Sequence, residues 1–141
     1  MLGVNPYLHF MGNTEEAMKY YKSVFGGEFT IFSRFKEIPG GEKMSPEDQG
    51  KFIHISLTVN KLTTIMATDM LESMGQKLVA GNNCHICIQA ESEAEADKFF
   101  EGLSKGGKVG MPMNKTFWGA YFGMCVDKFS ISWMINYSYG Q

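Results

Sequence analysis

Two stretches of the chain carry the same apolar spacing. Ala17, Tyr20, Tyr21 and Val24 fall at i, i+3, i+4 and i+7, and so do Ala96, Phe99, Phe100 and Leu103. One apolar face at that period predicts an amphipathic helix in each stretch. Asn13-Thr14-Glu15-Glu16 opens the first, with Asn13 as the cap and Glu16 placed to complete a capping box. Ser92-Glu93-Ala94-Glu95 opens the second in the same way, and Gly26-Gly27 and Gly106-Gly107 end them. Elsewhere the period is two. Phe52 to Val59 sets Ile53, Ile55, Leu57 and Val59 against His54, Ser56 and Thr58, which predicts a strand with one apolar face. Asn60-Lys61-Leu62 turns the chain and Thr63 to Asp69 returns. Pro6–Met11, Glu28–Lys36, His85–Ala90, Trp118–Val126 and Ile131–Tyr137 also read as strands, the last two joined by a turn near Asp127-Lys128-Phe129.

These elements repeat. The helices lie 79 positions apart, which also lays His85 on Pro6, and a shift of 68 lays Met134 on Met66. The smaller second shift means that the second copy lacks most of the polar loop Glu37–Gly50, which is long enough to predict a mobile segment or a lid. An internal repeat of this length is two copies of one supersecondary unit. Each copy reads β-α-β-β-β, so the fold class is α+β, in paired βαβββ modules: about 4–69, a linker 70–82, and about 83–138. A four-stranded sheet with one covering helix leaves its other face bare. Two such sheets are expected to join around a cleft, with the helices outside.

The 141 residues are 44% hydrophobic and 20% charged, which fits one globular domain and excludes disorder. The net charge of −2 and the lack of a basic stretch argue against binding nucleic acid. No apolar run approaches the roughly 20 residues of a membrane span, and Met1-Leu2-Gly3-Val4-Asn5-Pro6 does not read as a signal peptide. Three cysteines, an odd number, fit free thiols in a reducing cytoplasm, the expected location.

Pro6-Tyr7-Leu8-His9-Phe10-Met11-Gly12-Asn13-Thr14-Glu15-Glu16-Ala17, with Tyr20-Tyr21 and Phe25-Gly26-Gly27-Glu28, resembles the PhnB-like branch of the vicinal oxygen chelate superfamily. Glyoxalase I, bleomycin-resistance proteins and extradiol dioxygenases belong to that superfamily. Lys51–Asp69, Phe117-Trp118-Gly119 and Trp133-Met134-Ile135 carry the same likeness, which spans nearly the whole chain. The resemblance implies paired βαβββ units forming a half-barrel cleft, a homodimer, and a divalent metal held by one residue from the first and last strand of each unit. The repeat puts those four positions at Pro6, Met66, His85 and Met134. Only His85 is a competent ligand for magnesium, manganese or zinc, because proline has no donor and the methionine thioether is soft. A slip in the Phe52–Asp69 hairpin would bring His54 to a ligand position. Members of the branch often carry a demethylubiquinone methyltransferase label, but no Gly-rich strand-to-helix turn is present to hold S-adenosylmethionine.

If the apolar strand faces pack on the helices, the cleft receives His54, Ser56 and Thr58, then His85, Cys87 and Gln89, then Ser132, Met134 and Asn136. The pocket candidates are His54, Ser56, Met66, His85, Cys87 and Met134, with Phe10, Trp118, Tyr121 and Phe122 as aromatic surfaces for a flat ligand. His85 could serve as ligand or general base, and His54 less so. His9 is expected toward the helices or the surface. Cys84 and Cys87, three apart on an extended strand, point to opposite faces and cannot chelate one metal together. Eleven methionines fit a pliable apolar cleft. Glu37, Glu42, Glu47 and Asp48 are expected to be solvated.

The expected function is a small-molecule-binding protein without metal or other cofactor, and not an S-adenosylmethionine-dependent methyltransferase. The alternative is a divalent-metal enzyme of glyoxalase, lyase or dioxygenase type built on His85 and His54.

Overall fold

The computed structural model describes residues 1–140. The chain divides into two compact units, with the boundary between Val79 and Ala80. The first holds β1 (Tyr7–Phe10), α1 (Thr14–Phe25), β2 (Glu28–Arg34), a short α2 (Pro46–Gln49), β3 (Phe52–Thr58) and β4 (Thr64–Asp69). The second holds β5 (Ile86–Gln89), α3 (Glu93–Ser104), β6 (Lys108–Lys115), β7 (Ala120–Val126) and β8 (Ser132–Ser138).

Each unit is a four-stranded mixed sheet, ordered β1-β4-β3-β2 and β5-β8-β7-β6. The first strand runs parallel to the last, and the other pairs are antiparallel. β6, which no alternation marks in the sequence, occupies the place of β2 and repeats its irregularity. The register slips between Phe29 and Ile31 opposite Leu57 and Ser56, and between Val109 and Met111 opposite Cys125 and Met124. A bulge at the same point of both units increases the local twist of each outer strand.

The core of each unit lies between its helix and one sheet face. In the first, Ala17, Met18 and Tyr21 of α1 and Leu8, Phe10, Ile55, Leu57, Ile65 and Ala67 of the sheet are buried. In the second, Ala96 and Leu103 of α3 share that role with Cys125, Trp133 and Ile135. The helix must approach the sheet closely where it hands the chain on, and a glycine stands there in both units. A Cβ on Gly27 would lie 2.4 Å from the Thr58 carbonyl oxygen, and one on Gly107 2.2 Å from that of Val126.

Two expectations about helix ends and loops are corrected. Asn13 makes no side-chain capping bond. The first N–H of α1, at Thr14, donates instead to Asp69 Oδ1 (3.1 Å), while the Phe52 N–H donates to Oδ2 (2.9 Å). The Ser92 cap of α3 forms as its sequence implies, Glu95 N–H donating to Ser92 Oγ, but Glu95 Oε1 accepts from the N–H of Glu91 and not from that of Ser92, so the box is not reciprocal. The 37–50 loop carries short helical turns, at Phe35–Glu37 and Gly41–Lys43 before α2. Asp48, expected in solvent, is buried, accepts from Ser73 Oγ at 2.6 Å and pairs with Lys51 Nζ at 3.2 Å. The Ser73 hydrogen bond, aided by the Lys51 ammonium, holds the Asp48 carboxyl below the usual range.

Candidate functional site

Register and burial separate a helix-covered face from an open face in each sheet. In the first unit, Tyr7 pairs with Met66, Met66 with Ser56, and Ser56 with Ile31, so these side chains form one row across the face away from α1. His54 and Thr58 on β3, Thr64 and Thr68 on β4, and His9 on β1 share that face, since side chains two apart point the same way. Register sets charged residues on this face at the ends of the outer strand, Glu28 beside Thr58 and Arg34 beside Phe52.

His9 lies on the open face, not the helix side, because Leu8 and Phe10 are the residues of β1 buried under α1. Its ring stands 5.5 Å from that of Tyr7.

His54 is held at both ring nitrogens. Nδ1 lies 3.0 Å from the Tyr7 hydroxyl and Nε2 2.7 Å from Ser56 Oγ. A neutral imidazole donates from one nitrogen and accepts at the other, so Tyr7, His54 and Ser56 form a single chain of hydrogen bonds that can run in either direction. Run one way, the hydroxyl proton of the buried Ser56 is left unshared; run the other, that of Tyr7 is, and Tyr7 is exposed to a guest. Tyr7 was not among the sequence candidates. The alternation of Leu8 and Phe10 with Tyr7 and His9 is the signal that locates it.

In the second unit, Cys87 pairs with Met134, Met134 with Met124, and Met124 with Met111. The next row along is Gln89, Asn136, Phe122 and Asn114. Asn136 Nδ2 donates to Gln89 Oε1 at 2.8 Å, and Gln89 Nε2 donates to Cys87 Sγ at 3.4 Å. Desolvation pushes the Cys87 thiol up, and the Gln89 amide partly offsets this by favouring the thiolate. Lys108, at the end of the outer strand beside Val126, is the charged residue that register adds to this face.

The sequence candidates divide. His54, Ser56 and Met66 come together on the first open face, and Cys87 and Met134 on the second. His85 is half-buried just ahead of β5, in phase with Cys87. Trp118 lies between β6 and β7, 59% exposed, its ring edge-on to Phe117 at 5.0 Å and Phe122 at 6.1 Å. Phe10 and Tyr121 are on the helix sides. Phe10 is buried beneath α1. Tyr121 donates to Asp97 Oδ1 of α3 at 2.7 Å, a bond that pushes its phenol up to about 12.

The sheet registers also correct the offset used for ligand positions. Tyr7, not Pro6, stands beside Met66, while Cys87, not His85, stands beside Met134. The helices keep the 79 offset and the first strands take 80, so Asn5 is the repeat counterpart of His85. A shift of one residue turns every side chain of a strand to the other face.

A divalent metal of the kind common in vicinal oxygen chelate enzymes asks for imidazoles and carboxylates. The corrected positions offer a phenol, two thioethers and a thiol. Among the described residues, no three His, Cys, Asp or Glu side chains gather as a metal site would require. Both ring nitrogens of His54 are already engaged. The donors present do not fit a hard divalent cation.

Residues 3–136 match the family described as 3-demethylubiquinone-9 3-methyltransferase. The structure of protein PA1353 from Pseudomonas aeruginosa is 33% identical and superposes with a TM-score of 0.85 over 98% of both chains. That of a PhnB protein from Bacillus cereus, described as a putative 3-demethylubiquinone-9 3-methyltransferase, is 27% identical with a TM-score of 0.77, over 96% of this chain and 98% of that one. A glyoxylase/bleomycin resistance protein/dioxygenase domain from Frankia sp. EAN1pec, 13% identical, shares the fold with a TM-score of 0.67 over 98% of both chains.

Proposed function

Because the chain belongs to the PhnB-like family described as 3-demethylubiquinone-9 3-methyltransferase, within the glyoxalase/bleomycin resistance/dioxygenase superfamily, we propose that it binds an uncharged small molecule on the open face of its first sheet. The observation that carries this reading is the Tyr7–His54–Ser56 chain beside Met66. It gives a guest one directed hydrogen bond next to a soft apolar surface, in a central row, Tyr7–Met66–Ser56–Ile31, with no charged side chain to neutralise. Binding sites of this kind combine an apolar lining with a few oriented polar groups.

Methyl transfer is not part of the reading. The strand-to-helix turns Met11-Gly12-Asn13 and Ala90-Glu91-Ser92 are not Gly-rich. The helix N-termini they lead into are filled by the Asp69 carboxylate and by the Ser92 hydroxyl. The divalent-metal enzyme has less support, since His54 would have to give up Tyr7 or Ser56 to reach a cation. We also propose that the protein is a homodimer, supported by the outer strands β2 and β6, which leave Ile31, Phe32 and Val109 exposed.

The test is a thermal-shift screen of neutral, anionic and cationic small molecules against the wild-type chain and Met66→Lys. Neutral compounds are expected to raise the melting temperature of the wild type and to lose most of that effect in Met66→Lys, which places an ammonium in the middle of the row. Stabilisation confined to charged compounds, or unchanged in Met66→Lys, would overturn the reading.

A further inference from the structure

Resting on that small-molecule reading, we propose that the guest of the first open face is an uncharged carbonyl compound, with the Tyr7 hydroxyl donating to its oxygen. The direction of the Tyr7–His54–Ser56 chain decides this. The hydroxyls at its two ends differ in exposure, Ser56 being 4% exposed and Tyr7 42%. Among the described residues, His54 is the hydrogen-bond partner of both. If Tyr7 donated to Nδ1, then Nε2–H would donate to Ser56 Oγ, and the Ser56 hydroxyl proton would be buried without an acceptor. An unpaired buried donor is costly, whereas water or a guest takes up an exposed one. The chain therefore runs the other way. Ser56 O–H donates to Nε2 at 2.7 Å, Nδ1–H donates to the Tyr7 oxygen at 3.0 Å, and the Tyr7 hydroxyl proton is left for a guest.

The surroundings of that proton restrict the guest further. Tyr7 is on β1 and His54 on β3, with β4 between them, so the phenol spans β4 to reach the imidazole. Its register partner on β4 is Met66, and the exposed Ile31 continues the row beyond Ser56. A guest with one carbonyl group meets these terms. It accepts a hydrogen bond, brings no donor that needs a partner, and leaves an apolar remainder to rest on Met66 and Ile31. An alcohol, amine or amide brings an O–H or N–H as well, and the Tyr7 oxygen already accepts from His54. His54 and Ser56 are positioning residues here. Neither has to touch the guest, and together they set which way the Tyr7 proton faces.

Two measurements on the full-length chain test this. The first is the tautomer of His54 at mildly alkaline pH, read from the shifts of its two ring nitrogens in a long-range proton–nitrogen NMR correlation. The proton is expected on Nδ1 in the wild type and shared between the two nitrogens in Ser56→Ala. The second compares 2-acetylnaphthalene with 2-isopropenylnaphthalene, an isostere in which a CH₂ group replaces the carbonyl oxygen. From wild type to Tyr7→Phe, the affinity for the ketone should fall about fivefold or more, the worth of one neutral hydrogen bond, while that for the alkene stays within about twofold. The carbonyl stretch of the bound ketone should lie at lower frequency in the wild type than in Tyr7→Phe. Circular dichroism reports whether the variants keep their fold. If Ser56→Ala does not, the wild-type tautomer and the Tyr7→Phe comparison decide. A His54 proton on Nε2, or equal losses for ketone and alkene, in a chain that binds both compounds would overturn the carbonyl assignment and leave the small-molecule reading standing. A wild type that binds neither compound would overturn both.

Discussion

A single carboxylate joins three elements of the first unit. Asp69, the last residue of β4, is buried and accepts backbone N–H bonds from Thr14 at the start of α1 and Phe52 at the start of β3. Removing it strands two backbone donors, each worth about 1–3 kcal/mol when left unpaired. Asp69→Ala should therefore lose about 2–5 kcal/mol of stability in urea unfolding, with Asp69→Asn in between because its one amide oxygen can serve one donor. A loss under 1 kcal/mol would mean that the helix start and strand start find other acceptors. Asp69 was invisible as a cap in the sequence because the bond spans 55 positions. Asn13, adjacent and of the right type, was the local choice. The second unit has Tyr137 at the matching position and relies on the local Ser92 cap, which is why Ser92 could be read and Asp69 could not. The site divides in the same way. His54, Ser56, Met66, Cys87 and Met134 followed from alternation within one strand. Tyr7 required the knowledge that Leu8 and Phe10 are the pair that α1 covers.

The elements of the second unit are tied by phenol–carboxylate bonds between the sheet and α3. Tyr121 of β7 donates to Asp97, and Tyr139, just past β8, donates to Glu93. The hydrogen bond to Asp97 is the largest cause that raises Tyr121 to about 12, against an ordinary value of 10. Desolvation, then the bond to Glu93, does the same for Tyr139. A phenol whose pKa is higher in the folded state stabilises fully below its unfolded value, and that stability disappears as pH rises through the folded one. The unit should hold its full stability up to pH 10 and lose part of it between pH 10 and 12. Tyr121→Phe should lower the stability at pH 8 and make the decline above pH 10 shallower. Urea midpoints measured from pH 8 to 11.5 check this, and equal slopes for wild type and variant would refute it. These long-range ties were not readable in the sequence, although the helix they anchor was: α3 begins and ends where its period and its cap place it. β6 was the opposite case. Lys108–Lys115 carries Gly110, Pro112 and a register slip, is exposed along almost its whole length, and shows no alternation to read.

Over the whole molecule, four strands pair on one side only within their sheets, the short β1 and β5 and the longer β2 and β6. A free edge is a template for association unless it is blunted, and β2 and β6 offer the longer templates. The bulge in each strand is one such blunting device, since it twists the edge and interrupts its hydrogen-bonding groups. Charge is another, and here the strands differ. β6 carries lysines at both ends, Lys108 and Lys115, which disfavours pairing with a second copy of itself. β2 begins with Glu28 and ends with Arg34, with Ile31 45% and Phe32 38% exposed between them. An antiparallel pairing of two copies of β2 would bring the glutamate of each near the arginine of the other and cover both apolar side chains. The dimer proposed above should therefore form through β2. Sedimentation equilibrium should give twice the chain mass of 15.8 kDa. Ile31→Lys, which puts like charges opposite each other across such a pairing, should weaken the dimer at least tenfold while leaving the far-ultraviolet circular dichroism unchanged. Val109→Lys on β6 should have no such effect. A monomeric wild type, or a dimer weakened by Val109→Lys and indifferent to Ile31→Lys, would show that β2 is not the edge that joins two copies.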